Sequence, residues 1–536
     1  MGQGRAGFAY RIGALALAAT LAAPAAAQVW RSDQGDGTYR NPVLFADYPD
    51  PDIIRVGDDF YFVSTTFVNA PGIAILHSRD LVNWRLLTNV QPHLDGDPRY
   101  DLKDGGDYRH GFYAASLRHH RGQFFLAITP VGQKTRLYRA PAITGPWTYS
   151  VLDREAFDPG LFFDDDGTGY IATAEGSNGT ITLLTLTDDY TAVKSARTIY
   201  YVEGAEGSHL LKRGGYYYLF NAVPRRLSMT ISRARSLTGP WETRPSISTR
   251  DRTGGHQGAL VDLADGNWFG FVMVDAGAIG RMTNISPVHW VDGWPIWGTP
   301  QAPGRVPDRA AKPIPGHPFA EPASSDDFAS ATLGLQWRWN HNPDDTRWSL
   351  SERPGWLRLR ATRAENIWLA RNTLTQKAQG PASRATVRLD LAGIRPGDVC
   401  GFGTFGKISA QLSVLGQPGG GRALTMRVTD STAEGPKVTV REAGLPIRGT
   451  RLWLRTDTDF TTSLGRVAYS LDGRRWSGVG GDFPLMFDWR TGTFQGVQLA
   501  LSCYNPGAEG GRLDIDSFTL AALPPADPAK IPGRAQ

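Results

Sequence analysis

A polar turn containing glycine, followed at once by an aromatic-rich strand, recurs five times between Val56 and Gly270, and this repeat constrains the fold more than any other feature of the chain. The copies are Val56-Gly57-Asp58-Asp59-Phe60-Tyr61-Phe62, His120-Arg121-Gly122-Gln123-Phe124-Phe125-Leu126, Asp165-Asp166-Gly167-Thr168-Gly169-Tyr170-Ile171, Arg213-Gly214-Gly215-Tyr216-Tyr217-Tyr218-Leu219 and Ala264-Asp265-Gly266-Asn267-Trp268-Phe269-Gly270. With Gly57, Gly122, Gly167, Gly215 and Gly266 as markers, the intervals are 65, 45, 48 and 51 residues. A period near 50 residues with several short strands per unit predicts a β-propeller, in which each blade buries its faces against its neighbours. A second echo agrees: Arg139 to Trp147 and Arg233 to Trp241 read alike and lie 94 residues apart, two periods. Further strands are expected at Gly72 to Ser78, Ile181 to Thr187 and Ser228 to Ala234, and no amphipathic helical stretch stands out. The competing arrangement, one large sandwich with similar hairpins, lacks so regular a period.

The expected fold is therefore all-β, a five-bladed β-propeller followed by a β-sandwich domain. The chain has 536 residues, enough for several cores. Residues 1–27 read as a signal peptide: Arg5 and Arg11 precede the apolar run Ile12 to Ala23, and Ala25-Ala26-Ala27 offers the small residues a signal peptidase accepts. The propeller is assigned to 28–298 and a linker to 299–325, where seven prolines from Pro300 to Pro322 mark a semi-rigid spacer. The sandwich is assigned to 326–528, with strands at Ala385 to Leu391, Ala423 to Thr429, Lys437 to Ala443, Arg451 to Arg455 and Arg512 to Leu520, and a hairpin turning at Asp472-Gly473. The apolar run is too short to span a bilayer core of about 30 Å, so the expectation is a secreted or periplasmic protein without membrane association; an uncleaved anchor is the alternative. Cys400 and Cys503 are the two cysteines, and an oxidising compartment permits either a disulfide or two buried thiols.

Charge excludes some partners. The chain carries 57 basic and 52 acidic residues, and loss of Arg5 and Arg11 with the signal leaves a surplus of three, without a basic run. Nucleic acid is a poor partner for such a surface. No cysteine or histidine pair has zinc spacing, and neither a G-x-S-x-G elbow nor a phosphate-binding glycine loop occurs.

Three acids occupy comparable places in different repeats. Asp50 lies ten residues before Phe60, Asp158 twelve before Tyr170, and Glu206 ten before Tyr216. The inner strands of a propeller converge on one channel, so this shared register predicts that all three face one cavity. The proline after Asp50 and after Asp158 predicts extended backbone at each aspartate. Two carboxyls across a sugar-sized cavity suit glycoside hydrolysis, one activating water and one protonating the leaving oxygen, and a third can hold the acid's proton by repulsion. Taken singly, each acid also reads as a turn residue.

The chain resembles glycoside hydrolase family 43 through Asn41-Pro42-Val43-Leu44, the stretch Tyr48 to Tyr61 with Pro49-Asp50-Pro51-Asp52, Phe157-Asp158-Pro159, Asp164-Asp165-Asp166-Gly167, Glu206-Gly207, Gly255-His256-Gln257-Gly258 and Gly280-Arg281. The region around Leu333 to Pro343 is similar to the sandwich appended to the family's xylosidase and arabinofuranosidase branch. The resemblance implies a five-bladed propeller acting with inversion, with Asp50 as general base, Glu206 as general acid and Asp158 tuning that acid. It implies that Arg281 binds a sugar hydroxyl or the ring side of the pocket and that His256 sits at the channel centre, where some relatives hold calcium through water. Neutral imidazole is an unusual ligand for a hard cation, so a hydrogen-bonding role for His256 is preferred and no cofactor is required. Two departures stand out: Asp52 replaces a small residue beside the base and competes with Asp50 for that role, and Tyr113-Ala114-Ala115 stands where relatives have Trp-Ala-Pro. The implied activity is exo-acting release of β-D-xylosyl or α-L-arabinofuranosyl units from hemicellulose fragments, with an oligosaccharide as partner and the oligomeric state left open. A non-catalytic carbohydrate-binding propeller is the alternative.

Overall fold

The computed structural model describes residues 1–2 and 29–531 except 104, 107, 175, 177, 248–254, 492 and 508–509; apart from residues 1–2, the predicted signal peptide lies outside the described residues. Five antiparallel sheets follow one another along the chain, each with its first strand innermost. The first blade comprises Asp52–Val56, Asp59–Ser64, Gly72–Ser78 and Arg85–Gln91, and the second Phe112–His120, Gln123–Pro130, Arg136–Ala140 and Thr148–Val151. The third holds Gly160–Phe163, Gly169–Ala174, Thr180–Leu186 and Val193–Tyr201, and the fourth Glu206–Arg213, Tyr216–Val223, Ser228–Ala234 and Glu242–Pro245. Gly255–Asp262, Trp268–Asp275, Arg281–Val291, Trp294–Thr299 and Ala302–Pro303 make the fifth. The glycine of each repeat sits in the turn from first to second strand, and all five have φ between +64° and +88°, a region closed to most L-residues. The turn chemistry and the repeat are thus one fact.

Contacts between neighbouring inner strands run round the ring. Asp52 of the first blade accepts from Ser116 Oγ and the Leu117 amide of the second, and Ser116 Oγ accepts from the Leu161 amide of the third. Gly160 of the third blade lies so near the fourth that a Cβ there would stand 1.7 Å from the Ser208 carbonyl oxygen. Gly207 of the fourth abuts the Gln257 side chain of the fifth, and Arg55 of the first pairs with Asp262 of the fifth at 2.5 Å. The amino-terminal segment reinforces this last junction: Val43 and Tyr48 donate to the carbonyls of Thr283 and Arg281. Aromatic side chains fill the spaces between blades, with Trp84, Trp294, Trp297, Phe60 and Phe62 almost wholly buried.

The Pro-rich stretch 299–325 is bound along part of its length. Ala302–Pro303 extends the fifth blade, Arg309–Ala311 pairs with Thr38–Arg40, and Lys312 joins the buried Asp33 and Asp80 at 2.7 and 2.9 Å. Two large, mainly antiparallel sheets then form the sandwich around a core of leucines, valines and aromatics. Cys400 and Cys503 face each other on neighbouring strands and are disulfide-bonded. One sandwich sheet continues into the propeller: Arg338–Asn340 pairs with Asn69–Ala70, and Arg338 also donates to Pro71 O and Asn89 Oδ1.

A shared sheet leaves no boundary at which one domain can unfold while the other keeps its edge paired. Calorimetry on the purified chain should therefore give a single cooperative transition. Two well-separated peaks would contradict the coupling.

Candidate active site

The three predicted acids all lie where inner strands begin. Asp50 precedes Asp52–Val56, Asp158 precedes Gly160–Phe163, and Glu206 is the first residue of its strand. The structure brings them together: Asp158 is held well above the usual carboxyl range by burial first, then by the charges of Glu206 and Asp50, with Arg281 acting in the opposite direction. Such mutual influence needs close approach. The backbone expectation at the aspartates fails. Asp50 and Asp158 have φ of +53° and +43°, left-handed rather than extended, a conformation that aspartate tolerates better than most residues. Their place in a packed ring, with Gly160 pressed on Ser208, overrides the preference set by the following proline. At Glu206 and His256 the local device is a register shift in the inner strand, between Glu206 and His209 and between His256 and Gly258. Bulges of this kind re-aim side chains at the rims of sheets.

Asp50 is buried and fully engaged. Its Oδ1 pairs with Arg281 Nη1 at 3.0 Å, its Oδ2 accepts from Thr65 Oγ1 at 2.6 Å, and its amide approaches Met273 Sδ at 3.3 Å. Asp52 is turned to the second blade. Its Oδ2 accepts from Ser116 Oγ, the Leu117 amide and Arg118 Nη1 at 2.7 to 2.8 Å, so it serves the junction of the first two blades. Its Oδ1 lies 3.7 Å from Nδ1 of His209, whose pKa burial lowers.

Arg281 is 6 % exposed, and among the described residues its Nε and Nη2 have no hydrogen-bond partner in the protein. Burial opposes its charge, and Asp50, then Asp47 and Asp275, more than offset that. Leaving such donors unmet costs about 1–3 kcal/mol each, so they favour an incoming hydroxyl. His256 Nε2 lies 3.1 Å from Asp275 Oδ1, while Nδ1 has no protein partner among the described residues. Against the burial that raises it, the His256 hydrogen bond and the Arg281 charge keep Asp275 below its ordinary range. No three His, Cys, Asp or Glu side chains converge closely enough to hold a metal ion among the described residues.

Sequence reasoning missed the aromatic wall. The Arg281 guanidinium carbon lies 4.9 Å from the ring centre of Phe494 and 5.5 Å from that of Phe67. Tyr113, which stands at the departure from the expected motif, packs edge-on against Phe67 at 5.0 Å and reaches Phe494 at 6.1 Å. Phe494 belongs to the sandwich, so the second domain supplies part of the site. No local signal marks it, because its meaning comes only from docking.

Residues 39–295 match the family described as glycosyl hydrolases family 43, and residues 325–521 match the beta xylosidase C-terminal concanavalin A-like domain. A beta-xylosidase of Formosa agariphila is 30% identical over 553 residues, 91% of each chain. The chain belongs to glycoside hydrolase family 43. A non-reducing end alpha-L-arabinofuranosidase of Bacteroides ovatus is 34% identical over 61% of this chain and 65% of its own. The solved structure of a GH43 glycoside hydrolase engineered for both endo-xylanase and exo-arabinofuranosidase activity superposes with a TM-score of 0.83 at 30% identity, covering 91% of this chain and all of the other. This family 43 member is thus a glycoside hydrolase with a five-bladed propeller and a concanavalin A-like sandwich.

The Asp158 environment gives a pH prediction. Burial first, and then the repulsion between the acids, holds a proton on the Asp158–Glu206 pair, so Asp158→Asn removes the repulsive part and lets the remaining proton leave more easily. The alkaline limb of the kcat/KM profile should move to lower pH by roughly one unit. An unmoved limb would disprove the coupling. Gly160→Ala should reduce both melting temperature and activity, since the new methyl displaces the strand carrying Asp158 from the strand carrying Glu206.

Proposed function

We propose that this enzyme is an inverting, exo-acting glycosidase that releases β-D-xylosyl or α-L-arabinofuranosyl units from hemicellulose-derived oligosaccharides. The observation that carries the reading is the convergence of three carboxyls from three blades beside one buried arginine. In this reading a water held by Asp50 attacks the anomeric carbon from one side while Glu206 protonates the departing oxygen from the other. Asp50, paired with Arg281 and Thr65, is placed to act as carboxylate. Burial first, then the charges of Glu206 and Asp50, push Asp158 well above the usual carboxyl range, so the two adjacent carboxyls of the Asp158–Glu206 pair resist losing their last proton together. Arg281 Nε and Nη2 meet a hydroxyl of the sugar, and Phe67, Tyr113 and Phe494 exclude water around it.

The xylosyl preference is supported by the C-terminal domain match over 325–521 and by the Formosa relative; the arabinofuranosyl alternative is supported by the Bacteroides relative. His256 acts as a hydrogen-bonding group at the channel, no cofactor enters the chemistry, and a calcium ion there would be met through water. The signal-like segment 1–27 and the Cys400–Cys503 disulfide support export to an oxidising compartment.

Glu206→Ala should lower turnover of xylo-oligosaccharides by roughly 10²- to 10⁴-fold yet spare aryl glycosides whose leaving group needs no proton. Asp50→Ala should abolish both. Equal loss on both substrates in Glu206→Ala would remove Glu206 from the acid's role. Nitrophenyl β-xyloside and α-arabinofuranoside separate the two sugars, and the first-formed anomer seen by NMR decides inversion.

A further inference from the structure

We infer that Asp47 is a positioning residue whose carboxylate ties the main chain at Arg281 to the sandwich loop carrying Phe494, and so holds the Arg281–Asp50 pair in working geometry. This rests on the roles of Asp50 and Arg281 proposed above. Asp47 is 4 % exposed. Its Oδ1 accepts from the Arg281 amide at 2.8 Å, and its Oδ2 accepts from the Gly496 amide at 3.0 Å, 449 residues away in sequence. One carboxylate therefore bridges two domains, with a different oxygen serving each.

Neither bonded segment has room to shift. A Cβ at Gly280 would stand 2.3 Å from Asp47 Oδ1, and one at Gly496 would stand 2.1 Å from the Ile279 carbonyl oxygen. The Val497 amide donates to Ala278 O at 2.9 Å, continuing the same seam. From the sandwich, Lys377 Nζ donates to the main-chain carbonyl of Asp47 and lies 5.0 Å from the Tyr48 ring centre. The Tyr48 amide donates to Arg281 O, and Thr283 Oγ1 donates to Tyr48 O. The segment from Asp47 to Asp50 is thus fastened to the strand that begins at Arg281, whose side chain returns to Asp50. Two residues before Gly496, Phe494 covers the guanidinium. Movement of the Asp47 carboxylate would displace the base, its arginine and the aromatic wall together.

A merely structural strut and a positioning residue differ in kinetics. The test uses the full chain and whichever of nitrophenyl β-xyloside or α-arabinofuranoside the wild type cleaves, comparing Asp47→Asn, Arg281→Lys, their combination and Asp50→Asn, each with a melting curve. Asp47→Asn keeps the shape but loses one acceptor. It should lower kcat by about 10- to 100-fold with KM changed less than about threefold, and melting should stay within a few degrees. The double variant should fall little below Arg281→Lys alone, because the two act as one unit. A kcat for Asp47→Asn within about twofold of wild type, or a double loss equal to the product of the single losses, would overturn the inference. A drop in kcat that merely follows the folded fraction would also overturn it. Should Asp47→Asn not fold, Lys377→Met loosens the same segment through its carbonyl alone, and an unchanged kcat there overturns the inference. Asp50→Asn separates the two layers. An active Asp50→Asn enzyme refutes the base assignment, whereas an inactive one beside a fully active Asp47→Asn refutes the clamp alone.

Discussion

The site exists because the backbones of neighbouring inner strands approach each other to a distance that admits no side chain between them. Where Gly160 meets Ser208 O, even a methyl group has no place. Each blade repeats the same path, starting its first strand at the face that carries the acids and ending it in a glycine turn at the opposite face. Inner strands of four to nine residues advance roughly 3.3 Å per residue. An acid ten to twelve residues before the second strand's aromatic cluster must therefore sit one strand length from the glycine turn. The repeat and the register of the acids describe one geometric fact seen from its two ends.

Gathering three carboxyls in a partly dry cavity is unfavourable, and the protein resolves the conflict unequally. Asp50 receives the cation and a hydroxyl donor, while Asp158 receives burial and two acidic neighbours. Environments that separate the preferences of like groups are how one site maintains a base and an acid at the same pH. The arginine paired with Asp50 is itself kept charged by Asp50, Asp47 and Asp275. Removing Asp50 or Arg281 would leave the other as an uncompensated buried charge, a far larger penalty than the loss of a surface ion pair.

The propeller was legible because its signals are local: a glycine forced to positive φ, an aromatic strand behind it, and an acid ten to twelve residues ahead. The sandwich strands were legible for the same reason: Arg451–Asp459 alternates as expected, and Arg512–Ala522 forms where expected although a register shift interrupts its alternation. What failed was whatever tertiary packing decides. Proline at positions 51 and 159 argued for extended aspartates, and ring closure imposed left-handed ones. Asp52 carried the same local credentials as Asp50, two residues on, yet points to the second blade and serves as an acceptor there. Within the Pro-rich stretch, the pairing of Arg309–Ala311 with Thr38–Arg40 depends on a partner strand far away in sequence. Phe494 and Gly496 had no signal at all, since their neighbours at the site belong to another domain.

That last failure explains why the sandwich is fused to this propeller rather than tethered to it. A pocket at the mouth of a propeller is open on one side, and an open pocket leaves Arg281 and the carboxyls competing with bulk water, where their interactions are weak. The sandwich sets Phe494 against the Arg281 guanidinium, and a ring placed there helps only if its position is fixed to within a fraction of an ångström. Sheet continuity through Asn69–Ala70 and Arg338–Asn340 sets the gross orientation of the two bodies. A strand pair of two residues is a poor ruler for a distant loop, however, and a directed bond close to the site is a better one. Burying the Asp47 carboxyl between the Arg281 and Gly496 amides carries a desolvation cost that a hydrophobic contact would avoid. The return is direction: two amide bonds of fixed length, one from each domain, meeting within three residues of Asp50.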